Sequence, residues 1–236
     1  MIIPCQNITK LYLNLEFAIV SCSTALESFI DVYCQRYQEQ LGENPRYYAE
    51  GENSPCIINS SELNSETPIE WQMIKREQNA NFDNVENALN IKLWPEINDC
   101  FGRFFTAPLL FDAEFGQGEL TQVWNESDFE HLQKNIIGHL MMKQKLKQPL
   151  TWFIGLLDDD EKMLTVNNDD GSVWTEIPGE PQGEKLADSL TAFFESLKVR
   201  ITPAVKHEDL PMPQIDHPGI FARMKTMWQN LTKSNR

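Results

Sequence analysis

Residues 151–177 read TWFIGLLDDDEKMLTVNNDDGSVWTEI, and this stretch decides the fold. Thr151–Leu157 is nearly all apolar, as a strand covered on both faces requires. Met163–Val166 and Ser172–Ile177 read as two shorter strands. The link between them, Asn168-Asp169-Asp170-Gly171, has hairpin chemistry, because glycine adopts positive φ without steric cost.

Working outward, Phe129, Leu132, Ile136 and Leu140 recur at helical spacing before this stretch, with Ser127 or Asn125 placed to cap the helix and Pro149 to close it after Leu146. After it, Leu186–Leu197 carries Leu190, Phe193, Phe194 and Leu197 on one stripe and is expected to be helical. Upstream, Leu26, Phe29, Ile30, Tyr33, Tyr37 and Leu41 mark a helix from Thr24, whose spacing to Glu27 suits a capping box, and Gly42 is placed to stop it. Cys56–Ile58, Ile69–Ile74 and Glu119–Trp124 read as strands, Asp83–Leu89 as a short helix, and Pro95 opens a helix through Phe104 and Phe105 that Pro108 ends. This order lacks a regular βαβ alternation. It predicts an α+β fold, a single domain with one mixed or antiparallel sheet flanked by helices.

Among 236 residues, 35 Asp and Glu face 20 Lys and Arg, a formal charge of -15. Such a surface repels phosphate backbones, so no nucleic-acid role is expected and a basic partner is. A hydrophobic fraction of 41% supports a packed core, and no window approaches the 18 or more apolar residues of a membrane span. Ile19-Val20-Ser21-Cys22 imitates a lipoprotein cleavage box, but Lys10 is the sole early cation and Asn14 and Glu16 interrupt the apolar run. Residues 1–21 therefore read as an extension or an early start. The five cysteines and four histidines fall in no zinc-ligand pattern, so reduced thiols, a cytosolic setting, no metal and no cofactor are expected.

No nucleophile elbow or phosphate loop is present, and Phe115-Gly116-Gln117-Gly118 reads as a turn. His139, on the apolar face of its helix, is either a general base or, more commonly for such a position, a satisfied core histidine. We expect no enzyme and no small-molecule substrate. The acids are denser than the rest: residues 50–100 hold ten carboxylates against three basic residues. They form either a solvated face or a docking surface, and for the latter the candidates are Glu86, Asp112, Glu114, Glu126 and Asp128 around a partly exposed Trp124. Lys134, Lys143, Lys145 and Lys147 gather toward the end of one helix, where the helix dipole favours cations; anionic lipid headgroups are the alternative.

The chain resembles the Syd family of SecY-interacting proteins, within the SUKH superfamily, from about Ser23 to Arg200. The matching stretches are Ser54-Pro-Cys-Ile-Ile58, Trp71, Asn84-Val85-Glu86 with Ala88, Pro95 with Ile97 and Phe101, and Phe115-Gly116. They continue in Gln122-Val-Trp124 with Asp128-Phe129, Gln133-Lys-Asn-Ile-Ile-Gly-His-Leu140, Leu146-Lys-Gln-Pro149, Phe153-Ile154, and Gly171 with Val173. Their shared order and spacing carry the likeness. It implies a non-enzymatic protein, peripheral on the cytoplasmic side of the inner membrane, that binds basic cytosolic loops of SecY in assembly or quality control of the translocon. Immunity proteins in the wider superfamily imply an alternative, neutralisation of a basic toxin. Residues 22–201 are then the domain, and residues 202–236 a proline-rich linker and an amphipathic helix from Pro218, with Phe221, Met224 and Trp228 on its apolar stripe and Arg223 and Lys225 on the other side. That helix is expected to pack on the body, with lying in the headgroup layer or gripping a partner as the alternatives. Neither end receives function from the resemblance.

Overall fold

The computed structural model describes residues 21–59, 63–158 and 162–206. The expected extension before Ser21 and the C-terminal helix from Pro218 lie outside the described residues.

The chain opens with helix α1 (Cys22–Leu41), which starts two residues before the expected Thr24 because the Ser21 hydroxyl accepts from the Thr24 amide, and stops at Gly42 with φ 74. Two short strands, β1 (Arg46–Tyr47) and β2 (Ile69–Glu70), pair with each other, and β3 (Ile74–Lys75) pairs instead with β4 (Phe104–Phe105). The strand expected over Ile69–Ile74 is thus split between two sheets at buried Trp71, and the one expected at Cys56–Ile58 is reduced to a single bridge from Ile57 to Trp71. Helices α2 (Asp83–Leu89) and α3 (Glu96–Phe101) lie between them. α3 ends four residues earlier than expected, at Phe101; Gly102 follows it, packed so closely on the Ala80 carbonyl that no Cβ fits, and Phe104 and Phe105 pair with β3.

The main sheet then follows: β5 (Leu109–Ala113), β6 (Gly116–Leu120), helix α4 (Glu126–Leu146), β7 (Thr151–Leu157), β8 (Met163–Asn167), β9 (Val173–Glu176), β10 (Gln182–Ala187), helix α5 (Leu190–Ser196) and β11 (Lys198–Val199). Its order is β10-β9-β8-β7-β6-β5-β11, with every pairing antiparallel. The α+β class and the three strands of residues 151–177 are as the sequence predicts. Gly171 takes φ 73 in the β8–β9 turn, and a Cβ there would meet the Trp94 indole at 2.4 Å, so the turn also seats that ring.

Two predicted elements change. β6 lies earlier than Glu119–Trp124, its glycines hiding it from any strand propensity; Gly118 is required there because the Phe111 ring fills the space of a Cβ at 2.7 Å. The helix predicted over Leu186–Leu197 begins only at Leu190, where the Ser189 hydroxyl caps it, and the residues before it form edge strand β10. β10 and β11 are opposite edges of the sheet, yet only the ten residues 188–197 separate them. Seven strands laid flat would hold those edges roughly 29 Å apart, beyond the reach of a seven-residue helix and its short flanks. The sheet therefore curls, and the bulge between Phe153 and Gly155 contributes to the bend.

α4 packs on β7 and buries Leu132, Ile136 and Leu140, and one polar cluster is enclosed in the same interior. The Lys143 ammonium lies 3.0 Å from Glu176 Oε1 with neither side chain exposed, and it also donates to the Glu180 carbonyl. Glu176 Oε2 accepts from the hydroxyls of Thr151 and Thr165. Removing one partner of such a pair leaves an uncompensated buried charge. Lys143→Met should therefore lower stability by about 3 kcal/mol in urea unfolding at neutral pH, and Lys143→Met with Glu176→Met should recover most of it. A single variant as stable as the parent would mean that the pair does not anchor α4.

Candidate functional site

The N-terminus of α4 is a junction of three segments. The Asn125 side chain accepts from the Asp128 amide, and Asp128 reaches back to accept from the Trp124 amide, both at 2.8 Å. Asn125 also donates to the Asn53 carbonyl and to Glu52, and the Ser54 hydroxyl donates to the Trp124 carbonyl, so the loop of residues 50–54 is laced onto the helix start. Tyr47 meets the Trp124 ring edge-on, with centroids 5.2 Å apart.

This junction gathers carboxylates. Burial pushes the Tyr47 phenol up to about 12, and the negative charges of Glu119, Asp128, Glu50 and Glu52 add to the shift. Burial also raises the Asp128 carboxyl, with Glu52 adding to it, while the Trp124 amide and His131 act the other way. Glu50, Glu52 and Glu126 are exposed beside it. Glu126, 70% exposed, is held by Arg76 Nη1 at 2.7 Å, and the Arg76 guanidinium is buried between the rings of Phe105 at 3.9 Å and Phe129 at 4.7 Å.

The structure thus brings together Trp124, Glu126 and Asp128, but it corrects the expectation that Trp124 is partly exposed: it is 4% exposed, under the Tyr47 ring. Glu86 serves its own neighbourhood, accepting from Lys92 and from the Leu93 amide; these bonds hold its carboxyl below the usual range. Asp112 and Glu114 sit at the β5–β6 turn, where Asp112 accepts from Gln117 at 2.7 Å. From there the chain runs along β6 to Trp124, on the order of 20 Å away at strand rise. Sequence reasoning missed Tyr47, Glu50, Glu52 and Glu119. The signal available was the acidic loop Glu50-Gly51-Glu52, but nothing local tied it to residue 125.

His139 is buried, with Nε2 2.8 Å from the Thr151 hydroxyl. That hydroxyl spends its one proton on Glu176, so it accepts from His139, which is the neutral Nε2–H tautomer. A base poised to take the threonine proton would need the opposite polarity. His139 is therefore a core histidine through Nε2, while its Nδ1 is buried without a hydrogen-bond partner among the described residues. Lys143 likewise leaves the lysine cluster read from the sequence, because Glu176 holds it inside. Among the described residues, no group of three or more His, Cys, Asp or Glu could hold a metal ion, and no helix is long and apolar enough to cross a membrane.

Burial and then the Lys143 charge push the His139 imidazole down to about 3. In the unfolded chain it titrates near its ordinary value of about 6.5, so between these values the unfolded state binds the extra proton. Stability conferred by the neutral ring is complete above about pH 6.5 and falls by up to about 1.4 kcal/mol per pH unit below it. Urea unfolding of His139→Gln, whose amide still donates to Thr151, should show a shallower loss between pH 6.5 and 5 than the parent. Parallel profiles would contradict the buried neutral ring.

Residues 23–199 match the family described as Syd protein (SUKH-2). Curated relatives named Protein Syd include those of Shewanella sp. (strain W3-18-1) and Shewanella putrefaciens (strain CN-32 / ATCC BAA-453), each 60% identical over 212 residues, 90% of this chain and 98% of the relative. That of Shewanella sp. (strain MR-7) is 59% identical over the same coverage. A match of 212 residues cannot fit within the first 199, so the likeness continues past Val199 into the C-terminal segment that the sequence reading set apart. With the family match spanning the sheet and its helices, and these relatives covered almost end to end, the chain belongs to the Syd (SUKH-2) family.

Proposed function

We propose that this protein is a non-enzymatic binding protein that docks onto the Lys- and Arg-rich cytosolic loops of SecY, at the cytoplasmic face of the inner membrane, in assembly or quality control of the translocon. The partner comes from the family resemblance, and the charge argument supports it independently. Cytosolic loops of membrane proteins are enriched in Lys and Arg, and a chain of formal charge -15 complements them. The observation that carries the reading is the junction at the start of α4. Glu50, Glu52 and Asp128 converge there around Tyr47, Glu126 stands exposed in the first turn of the same helix, and Arg76, the cation paired with Glu126, is itself buried.

Glu126 and Asp128 keep the role the sequence suggested for them, and Glu50 and Glu52 join them. Asp112 and Glu114, at the far end of β6, form at most an outer rim of such a surface, and Glu86 is engaged by Lys92.

The test is association kinetics with SecY complex in detergent. Glu50→Lys with Glu52→Lys should slow association by roughly 10-fold, and rising salt should slow the parent as well, because exposed charges act through steering. Melting should hardly change, since exposed charges contribute little to stability. Asp128→Lys is a poor probe, because Asp128 accepts from the Trp124 amide; Asp128→Asn keeps an acceptor there. Association that ignores both salt and the Glu50/Glu52 reversal would remove this surface as the docking site.

A further inference from the structure

Carboxylates outnumber cations 35 to 20 in this chain, so an exposed lysine or arginine has partners to spare. Most described cations use them: Arg36, Arg46, Lys75, Lys92, Arg103 and Arg200 each pair with a carboxylate. Lys198 on β11 does not, and neither do Lys134, Lys145 and Lys147, which share one helix. All three are exposed on α4 or its C-cap, and none enters an ion pair or a side-chain hydrogen bond among the described residues. α4 carries no acid after Glu130.

The same part of the helix leaves apolar side chains in water. Met141 is 49% exposed and Leu146 44%, two of the five large apolar side chains exposed among the described residues. Helical spacing sets Lys134, Met141 and Lys145 along one stripe, with Leu146 and Lys147 continuing around the final turn. The helix dipole accounts for Lys145 and Lys147 near the C-terminus, but not for Lys134 in mid-helix, nor for exposed Met141 and Leu146.

Unpaired lysines flanking exposed apolar tips match one kind of surface, an anionic headgroup layer above acyl chains. We propose that the outward stripe of α4 that carries Lys134, Met141 and Lys145, continued by Leu146 and Lys147 at the final turn, is a lipid-contact face, with the lysines on headgroup phosphates and Met141 and Leu146 at the boundary below them. The acidic docking surface does not prevent this. Lys145 lies about 28 Å along the helix from Glu126, more than three Debye lengths of about 8 Å at physiological ionic strength, whereas Lys134, about 12 Å from Glu126 and one turn from exposed Glu130, is partly offset by those acids. Exposed Glu180, whose carbonyl accepts from Lys143, offsets part of the positive charge. The proposal rests on reading the protein as peripheral to the membrane, and it names the surface that makes the contact. With acids at one end of α4 and cations at the other, docking on basic loops and resting on lipid use separate ends of one rigid element.

The test is co-sedimentation of the full chain with vesicles of phosphatidylglycerol and phosphatidylcholine, against phosphatidylcholine alone, in the absence of any translocon. The full chain should bind the anionic vesicles and not the zwitterionic ones. Each lysine is worth about 5-fold in partitioning, so K134Q/K145Q/K147Q should weaken binding roughly 100-fold. M141S/L146S should weaken it while keeping the salt dependence. Both variants change exposed side chains only and should melt like the parent, and their association with SecY complex in detergent should be unchanged. Absent binding to anionic vesicles, equal binding to both vesicle types, or binding that survives the triple substitution would overturn the proposal. Loss of SecY association in detergent on the triple substitution would also overturn it, by making this face a protein contact. The docking reading fails separately, through the Glu50/Glu52 variant in detergent, and that failure leaves vesicle binding intact.

Discussion

A lysine and a glutamate that meet 3.0 Å apart, out of solvent, set where α4 lies on the sheet. Neither charge would be buried without the other, because desolvating an isolated ammonium or carboxylate costs more than the fold can recover elsewhere. Lys143 reaches from the last turns of α4 to Glu176 Oε1 on β9, and the hydroxyls of Thr151 and Thr165 both donate to Oε2 of that carboxylate. Rotation and slippage of the helix are both constrained by this contact. With Lys143 inside, Leu132, Ile136 and Leu140 face the core, and Lys134, Met141 and Lys145 face outward. His139 belongs to the same arrangement, as a neutral ring bonded to the threonine that also serves Glu176.

Orientation of α4 in turn separates the charges of the surface. Its N-terminus, with Glu126, Asp128 and Glu130, is tied through Asn125 to the loop that carries Glu50 and Glu52. Its C-terminus carries Lys145 and Lys147. Both ends obey the helix dipole, so their charges stabilise the helix whether or not anything binds. Function is therefore better argued from features that the helix dipole does not account for: lysines that form no ion pair among the described residues, exposed Met141 and Leu146, and the carboxylates gathered around Tyr47.

Arg76 shows how an exposed charge can be organised from within. Its side chain is 4% exposed, with the guanidinium stacked between Phe105 and Phe129, and its Nη1 holds the exposed carboxylate of Glu126. Its Nε and Nη2 are buried without acceptors among the described residues, a cost that the two aromatic faces help to offset. The acid offered to solvent at the start of α4 is thus positioned by residues from the β3–β4 pair and from the helix itself. The curl of the sheet has a comparable long-range origin, since the short passage through α5 brings edge strands β10 and β11 toward each other.

What the sequence determined by itself was whatever depends on near neighbours along the chain. The three strands of residues 151–177, the glycine turn at 171, the extents of α1 and α4 to within a few residues, and the α+β class all follow from periodicity, caps and turn chemistry acting over a few positions. So does the acidic balance that points to a basic partner. Strands rich in glycine or charge, such as β6 and β10, were illegible because pairing with neighbours, rather than propensity, makes them strands. The structure alone decided that Trp124 is buried, that Lys143 leaves the basic cluster, and that Glu50 and Glu52, rather than Asp112 and Glu114, accompany Glu126 and Asp128. Each of these outcomes turns on a contact between residues far apart in the chain, as Lys143 with Glu176 or Ser54 with Trp124. Burial and charge pairing are properties of the folded neighbourhood, and one-dimensional spacing carries no record of which distant segment will complete it.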